Sequence, residues 1–186
     1  ALLTLACLAG YWGYRTIIDY SQTPLVLTEA KELTIARGTS VHQLAQQLET
    51  DGVIQDKWKL KWLLRLRPEL AKIRTGLYEM SPSQSIADLL NDLVNGKVKT
   101  FSLTLVEGKT IAEWEQQLAS APHLQLTPEV FSAVLMEQGD DSALPEGKFF
   151  PDTYHYTADS DAKVLLTQSY KMMEQELAKA WAERVP

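Results

Sequence analysis

The residues best suited to chemistry lie in two segments, LVEGKT at 105–110 and PEGKFFPDTYHY at 145–156. Both contain the triplet Glu-Gly-Lys, and the second adds Asp152, Tyr154 and further aromatic residues. Carboxyl groups transfer protons, while aromatic rings and phenol hydroxyls stack on sugar rings and hydrogen-bond to them. The two segments therefore indicate a groove for a sugar or a peptide.

Glu107, Glu146 and Asp152 are the candidate acids of this groove. Most glycosidases place two carboxyl groups beside the scissile bond. A lytic transglycosylase needs only one acid, because a hydroxyl of the sugar itself attacks. That acid needs a raised pKa, so that it carries a proton to donate. Spacing alone favours a plainer role, in which Glu107 and Asp152 accept backbone hydrogen bonds in turns.

Four aromatic residues surround Asp152, namely Phe149, Phe150, Tyr154 and Tyr156. At least one of Phe149 and Phe150 is expected in the core, and Tyr154 is expected either to cap that core or to face a substrate. The segments 145–147 and 151–152 are predicted to form paired turns that aim these rings.

Other chemistries have little support in the sequence. The net charge is −6, so nothing draws the whole chain to nucleic acid or to anionic lipid, and no nucleic-acid motif is present. Cys7 is the only cysteine, and the three histidines are scattered, so neither a metal site nor a disulfide is predicted. No nucleotide-binding loop or catalytic triad motif occurs, and no cofactor is expected.

The N-terminal residues form an apolar run without a charge before Arg15. We interpret residues 1–18 as a truncated membrane-spanning helix, since a full span needs about 20 apolar residues, with residues 19–28 as a juxtamembrane linker. The aromatic residues near its end suit a membrane interface. The alternative is a buried N-terminal helix of a soluble domain.

A diffuse repeat of strand, turn and amphipathic helix follows, and it indicates an α+β fold. Ser40, Ser85 and Thr110 are predicted helix N-caps, each followed three residues later by a partner for a capping box, namely Gln43, Asp88 and Glu113. Alternating apolar residues upstream of each cap predict three strands. The pattern divides the chain into a small domain over 29–98 and a second unit over 99–186, which ends in a long helix.

The helix predicted at DKWKLKWLLRL is rich in cations. Lys57, Lys61 and Arg65 form one stripe, beside a second stripe of Trp58, Trp62 and Leu66. This helix suits an anionic surface, peptidoglycan carboxylates or, as we favour, a solvated position in which it docks on the core. Lys59 and Arg67 interrupt its apolar face, which disfavours a helix lying in a membrane.

The order of these segments resembles the YceG-like family, the membrane-anchored endolytic murein transglycosylases of bacteria. The segments that carry the resemblance are IARGTSVHQLAQQLETDGVI at 35–54, WLLRLRPEL at 62–70, TGLYEMSP at 75–82, SLTLVEGKT at 102–110 and LPEGKFFPDTYHY at 144–156, after the apolar N-terminus. The most specific of these is the order Glu-Gly-x-x-Phe-Pro-Asp-Thr-Tyr at 146–154.

The resemblance implies an inner-membrane, single-pass protein whose soluble part faces the periplasm. It implies a LysM-like α+β module over 29–98 that contacts glycan, and the beginning of an α+β catalytic domain over 99–186. The implied reaction cleaves MurNAc-GlcNAc bonds in nascent peptidoglycan strands and leaves 1,6-anhydroMurNAc ends. Peptidoglycan synthases are the implied protein partners, and no cofactor is implied.

One departure limits what this segment does. In the family the catalytic glutamate follows the long helix, and none of Glu107, Glu146 and Asp152 matches its position. No catalytic residue is therefore expected here, and these three acids with Tyr154 are predicted to shape the substrate groove. The alternative is a non-catalytic, membrane-tethered module that binds glycan or docks a synthase.

Overall fold

The computed structural model describes residues 2–142 and 144–184, without the side chains of residues 2, 3 and 6. Ala1 of the predicted membrane segment and residues 185–186 of the predicted second unit lie outside that description. The chain divides into two compact units, residues 1–99 and residues 100–186. This division lies between 99 and 100, one residue after the predicted boundary between 98 and 99.

Both units are mixed α+β, as the repeat predicted. The helices of the described chain are α1 (Leu2–Ser21), α2 (Val41–Thr50), α3 (Lys57–Leu66), α4 (Ile86–Asn95), α5 (Ile111–Ser120), α6 (Val130–Gln138) and α7 (Ala162–Ala182), with a short 3-10 helix at Pro68–Ala71. The strands are β1 (Lys31–Ile35), β2 (Gly76–Met80), β3 (Thr100–Thr104), β4 (Leu124–Gln125), β5 (Thr153–Thr157) and β6 (Ser160–Asp161).

All three predicted capping boxes form. In α2, α4 and α5 the side chain of the N-cap residue, Ser40, Ser85 or Thr110, accepts the backbone N–H three residues on, while the partner side chain accepts the N–H of the N-cap residue. Asp88, the shorter partner predicted to be weaker, also completes its box. These bonds satisfy N–H groups that a helix start leaves without partners.

The first unit encloses its own apolar core. β1 pairs antiparallel with β2, with Leu33 opposite Tyr78, and the helices α2, α3 and α4 supply buried leucines to the core. Gly52, just after α2, has φ of +70°, the left-handed conformation that glycine commonly adopts where a helix ends.

The N-terminal segment forms α1, but the prediction of a membrane span at 1–18 is not supported. Among the described residues, no helix combines the length and the apolar character that crossing a membrane requires. Towards its end α1 joins the core of the first unit through the buried side chains of Ile17 and Tyr20. The predicted linker 19–28 is also packed in this unit, where Leu25 is buried and its N–H donates to the carbonyl of Gln84.

The helix α3 docks on the core with a different face from the tryptophan stripe. Its buried side chains are Leu60, Leu63 and Leu64, whereas Trp58 and Trp62 remain 53% and 52% exposed. Two apolar stripes run along this helix, and the leucine stripe fits the core. The expected docking of this helix on the core is therefore confirmed, through the leucine stripe.

In the second unit β3 pairs antiparallel with β5, and β4 pairs in parallel with β6. Helices α5, α6 and α7 contribute Trp114, Phe131 and Leu166, respectively, to the unit's apolar core. α6 starts without a side-chain cap, and Glu129 at its N-cap position has φ of +58°.

Candidate functional site

The two Glu-Gly-Lys triplets adopt the same local structure. Glu107-Gly108 forms a turn after β3, and Glu146-Gly147 forms a turn before β5. Gly108 has φ of +77° and Gly147 has φ of +76°, in the left-handed region that glycine enters without strain. The repeated triplet is therefore a turn signal, with the glycine fixing the backbone shape and the glutamate standing beside it.

The second triplet supports the helix that follows the first. An Oε1 atom of Glu146 accepts a hydrogen bond from the backbone N–H of Ile111 at 3.0 Å. Ile111 is the first residue of α5, where backbone N–H groups lack partners within the helix and the helix dipole favours a negative charge. Glu146 thus adds an anion from a distant loop to the capping box of Thr110 and Glu113.

Asp152 fixes the other end of the same loop. Its carbonyl oxygen accepts the N–H of Leu105 at 2.9 Å, and its carboxylate accepts the N–H of Thr153 at 2.7 Å, where β5 begins. The indole of Trp114 donates to the carbonyl of Val106 at 3.0 Å. Hydrogen bonds to Asp152, Trp114 and Glu146 therefore hold the loop at 105–111 at its start and its end.

Glu107 lies in the middle of this loop. It is exposed, and it makes no hydrogen bond or ion pair with any other residue of the described chain. The expectation of a turn acceptor is confirmed for Asp152 and not for Glu107, whose carboxylate is left available to a ligand.

Tyr154 occupies the core side of β5. The side chain is only 2% exposed, and its hydroxyl donates to the carbonyl of Phe150 at 2.7 Å. The hydroxyl of Ser169 donates to the same carbonyl at 2.9 Å. Burial raises the pKa of the Tyr154 phenol, so the hydroxyl remains a donor across the physiological range.

Phe149 confirms the expectation that at least one of the paired phenylalanines is buried. It is 1% exposed and packs edge-on against Phe131 and Tyr170, with ring centroids 5.0 Å and 6.0 Å apart. The segment at 151–152 was predicted to be a turn, but the residues after it continue as strand β5.

The outward face of β3 and β5 carries a row of polar side chains, and sequence reasoning missed the part of this row that lies on β5. Its exposed members are Thr100, Ser102, Thr104, Thr153, His155 and Thr157. Ser102 lies opposite His155, and the hydroxyls of Thr104 and Thr153 are 2.9 Å apart. This hydroxyl face, as we call it, runs up to Asp152 and offers donors and acceptors to a polyol such as a sugar. The alternation of Tyr154 and Tyr156 with polar residues is the sequence pattern that predicts strand β5 and its polar face.

The chain matches a sequence profile of the YceG-like family over residues 33–185. The match covers most of both units. This chain belongs to the YceG-like family. The resemblance drawn from the motifs is thereby confirmed.

Among solved structures, this YceG-like chain is similar to the crystal structure, at 2.6 Å, of a YceG-like protein from Listeria monocytogenes. The two are 21% identical, with a TM-score of 0.41, and the alignment covers 83% of this chain and 57% of that chain. This chain thus spans little more than half the length of that relative. A search of curated proteins found no match.

The pKa shifts of the carboxyl groups in this YceG-like segment share one direction. Every described carboxyl group with a displaced pKa is shifted downwards, namely Glu49, Asp88, Glu113 and Asp140. A proton donor needs the opposite shift, which burial in an apolar pocket produces. The pKa of the Asp140 carboxyl is lowered because two groups stabilise its charged form. They are the Lys148 ammonium, 2.8 Å from a carboxylate oxygen, and the backbone N–H of Ser142. These carboxylates serve as structural acceptors.

Within the described residues, no group of three or more potential ligands lies close enough to hold a metal ion. His123 packs its ring 5.3 Å from that of Phe101, and His155 stands exposed on the hydroxyl face. The candidate site therefore combines the unpaired carboxylate of Glu107 with the hydroxyl face. Glu107 lies on the loop whose start is bonded to Asp152, and Glu146 supports the end of that loop.

Proposed function

We propose that this chain is the N-terminal part of a membrane-anchored endolytic peptidoglycan lytic transglycosylase. The parent enzyme cleaves MurNAc-GlcNAc bonds in nascent glycan strands and leaves 1,6-anhydroMurNAc ends. The observation that carries this proposal is the family match over both units, residues 33–185. In this proposal the protein sits in the bacterial inner membrane, with its two units in the periplasm and peptidoglycan synthases as neighbours.

The second unit supplies one wall of the glycan groove and not the proton donor. Two observations support this division of labour. Glu107 is unpaired and the hydroxyl face is exposed, so both are open to a polar ligand. All of the displaced carboxyl pKa values lie below the ordinary values of those groups, whereas a general acid needs a raised pKa.

The first unit is proposed as the LysM-like module that contacts glycan. Its order of strand, two helices and strand, with β1 paired to β2, is compatible with the small α+β module that the sequence predicted.

Purified chain incubated with bacterial sacculi tests both parts of the proposal. Retention on the sacculi, measured by sedimentation, is expected to weaken in the double variant Glu107→Gln with Asp152→Asn. The matched control is Glu176→Gln with Asp141→Asn, which removes the same charge from two exposed residues outside the site. Equal retention of the two double variants removes Glu107 and Asp152 from the groove.

Mass spectrometry of the soluble products tests the missing acid. The chain is expected to release no 1,6-anhydro muropeptides, and their release would show that the acid is present in this segment. The second candidate function is a non-catalytic module that binds glycan or docks a synthase, and the exposed hydroxyl face and the unpaired Glu107 support it equally. The complete gene product separates the two, because a transglycosylase generates anhydro ends whereas a module binds sacculi without cleaving them.

A further inference from the structure

Helices α1 and α3 of the first unit together expose a group of large apolar side chains. We call Trp12, Tyr14, Trp58, Trp62 and Leu66 the aromatic surface; their exposure runs from 44% for Leu66 to 76% for Trp12. They line an open groove of about 470 Å³ between the two helices. A soluble protein rarely leaves such a contiguous apolar area exposed unless another surface covers it.

The aromatic surface is held in place by the core beneath it. Leu60, Leu63 and Leu64 dock α3, which directs its tryptophans outward. Tyr20 docks α1, and its hydroxyl donates to the carbonyl of Asp56 at 3.2 Å. Burial raises the pKa of the Tyr20 phenol to about 12, with nearby carboxylates adding to the shift. The exposed rings therefore stand on a fixed base.

Cations border the aromatic surface on α3. Lys61 and Arg65 each follow a tryptophan by three residues, which places them about 60° around the helix from the tryptophan stripe. Lys61, Arg65 and Arg67 make no ion pair with any other residue of the described chain, and the Arg65 guanidinium lies 5.8 Å from the centre of the Trp62 ring. Two acidic residues of this unit, Glu49 and Asp56, already form ion pairs with Lys57 and Lys59. A chain of net charge −6 thus concentrates unpaired positive charge at this place.

The chemistry of the groove argues against a sugar as its occupant. Its described lining residues include no charged or amide side chain; their polar groups are the indole N–H groups, the phenol hydroxyl of Tyr14 and the hydroxyl of Thr16, which already donates to the carbonyl of Trp12 at 2.9 Å. A second copy of the chain is disfavoured as well. A two-fold contact would bring the two cation-bordered surfaces together, and their like charges would repel.

We propose that the aromatic surface rests on an anionic phospholipid bilayer. Tryptophan and tyrosine rings are favoured at the level of the headgroups, and lysine and arginine side chains beside them meet lipid phosphates. Leu5 and Leu8 of α1 are exposed as well, so the apolar character continues along that helix. The surface orients the first unit at the bilayer. This inference shares only its membrane location with the proposed function, and it makes no use of glycan chemistry.

Binding of the full chain to vesicles tests the inference. One vesicle set is phosphatidylcholine with about a third phosphatidylglycerol, and the other is phosphatidylcholine alone. The charge variant is Lys61→Glu with Arg65→Glu, and its matched control is Lys171→Glu with Lys179→Glu. Each pair reverses two exposed or half-exposed cations and changes the net charge equally, but the control pair lies on α7. The aromatic variant is Trp58→Ser with Trp62→Ser, and its control is Trp181→Ser, an exposed tryptophan of α7.

The wild type and both controls are expected to bind the anionic vesicles more tightly than the neutral ones. The charge variant is expected to bind the anionic vesicles at least about tenfold more weakly, and the aromatic variant likewise. Circular dichroism checks that the variants fold, and a variant that unfolds is replaced by its single substitutions. Unchanged vesicle binding in the folded variants overturns the inference, as does a wild type that ignores vesicles. If the wild type bound no lipid but formed a dimer, and the aromatic variant were monomeric, the surface would be assigned to a contact with a second copy. Sacculus retention is measured in a separate assay without lipid, so failure here leaves the glycan proposal standing.

Discussion

The carboxylate of Glu146 and the backbone N–H of Ile111 are joined by a hydrogen bond of 3.0 Å, although 35 residues separate them in the sequence. This contact links the second Glu-Gly-Lys turn to the start of α5. It explains why two like triplets have unlike roles, because one glutamate supports the backbone while Glu107 remains unpaired.

Replacing Glu146 with alanine is expected to destabilise the second unit. The substitution removes an acceptor and a negative charge from the N-terminus of α5, a loss of about 0.5–2 kcal/mol in the free energy of unfolding. Glu146→Gln keeps an acceptor oxygen and is expected to lose less. Urea unfolding followed by circular dichroism measures both changes.

Glu107→Ala is the matched control for this experiment, since it alters the equivalent residue of the other triplet. An exposed side chain without partners is expected to change the free energy of unfolding by less than about 0.5 kcal/mol. If both alanine variants lost the same stability, the capping role of Glu146 would be wrong.

Asp140 is expected to make stability depend on pH in the acid range. Its pKa is lower in the folded protein than in the unfolded chain, because Lys148 and Ser142 stabilise the carboxylate. Such a group stabilises the fold fully above its unfolded-state pKa of about 3.9, and this stabilisation is lost as pH falls through the lower folded-state pKa. Asp140→Asn is therefore expected to be less stable than wild type near neutral pH, with the difference shrinking below about pH 4.

Thermal unfolding over a series of pH values measures this difference. Asp141→Asn serves as the control, because Asp141 is an exposed neighbour without an ion pair in the described chain. A gap between Asp140→Asn and wild type that stays constant down to strongly acidic pH would contradict the role given to the Lys148 contact.

Tyr154 is expected to act on stability more than on ligand binding. Tyr154→Phe removes the hydrogen bond to Phe150 and is expected to destabilise by about 0.5–1.5 kcal/mol. Tyr154→Ala also leaves a cavity, with a loss of about 3–5 kcal/mol. Sacculus retention of the folded Tyr154→Phe variant is expected to match wild type. A drop in retention without a drop in stability would instead place the phenol in contact with glycan, as the sequence predicted.

Gly108→Ala and Gly147→Ala are each expected to destabilise by about 1–2 kcal/mol, because both positions have positive φ and alanine is strained there. Gly13→Ala in α1 is expected to raise the free energy of unfolding instead, since an added Cβ meets nothing within 4 Å and alanine favours a helix. Chemical denaturation compares the three variants, and a neutral Gly108→Ala would show that the turn relaxes.

The local signals in the sequence predicted the structure well. Each capping box depends on residues three apart, so Ser40, Ser85 and Thr110 mark their helices without any knowledge of the rest of the fold. The first three strands and the long last helix followed from periodicity in the same way.

The features that were missed depend on distant partners. β5 needs β3, which lies some fifty residues earlier in the chain, and a five-residue alternation beside two prolines resembles a turn when its partner is unknown. The contact of Glu146 with Ile111 is equally non-local. On α3, periodicity marked an apolar stripe but did not tell which of two stripes faces the core. Of the four predicted groove residues, Tyr154 is buried, Glu146 is engaged as a cap, and Asp152 accepts the N–H of Thr153, whereas Glu107 is left without a partner in the described chain.

The three anchors on the loop at 105–111 have a thermodynamic consequence. A flexible loop surrenders backbone freedom when a ligand orders it, and that lost entropy weakens binding. Here the bonds to Asp152, Trp114 and Glu146 restrict the backbone when the protein folds. A ligand that contacts Glu107 then meets a loop whose backbone is already restricted, and ordering the Glu107 side chain is the remaining entropic cost in that loop.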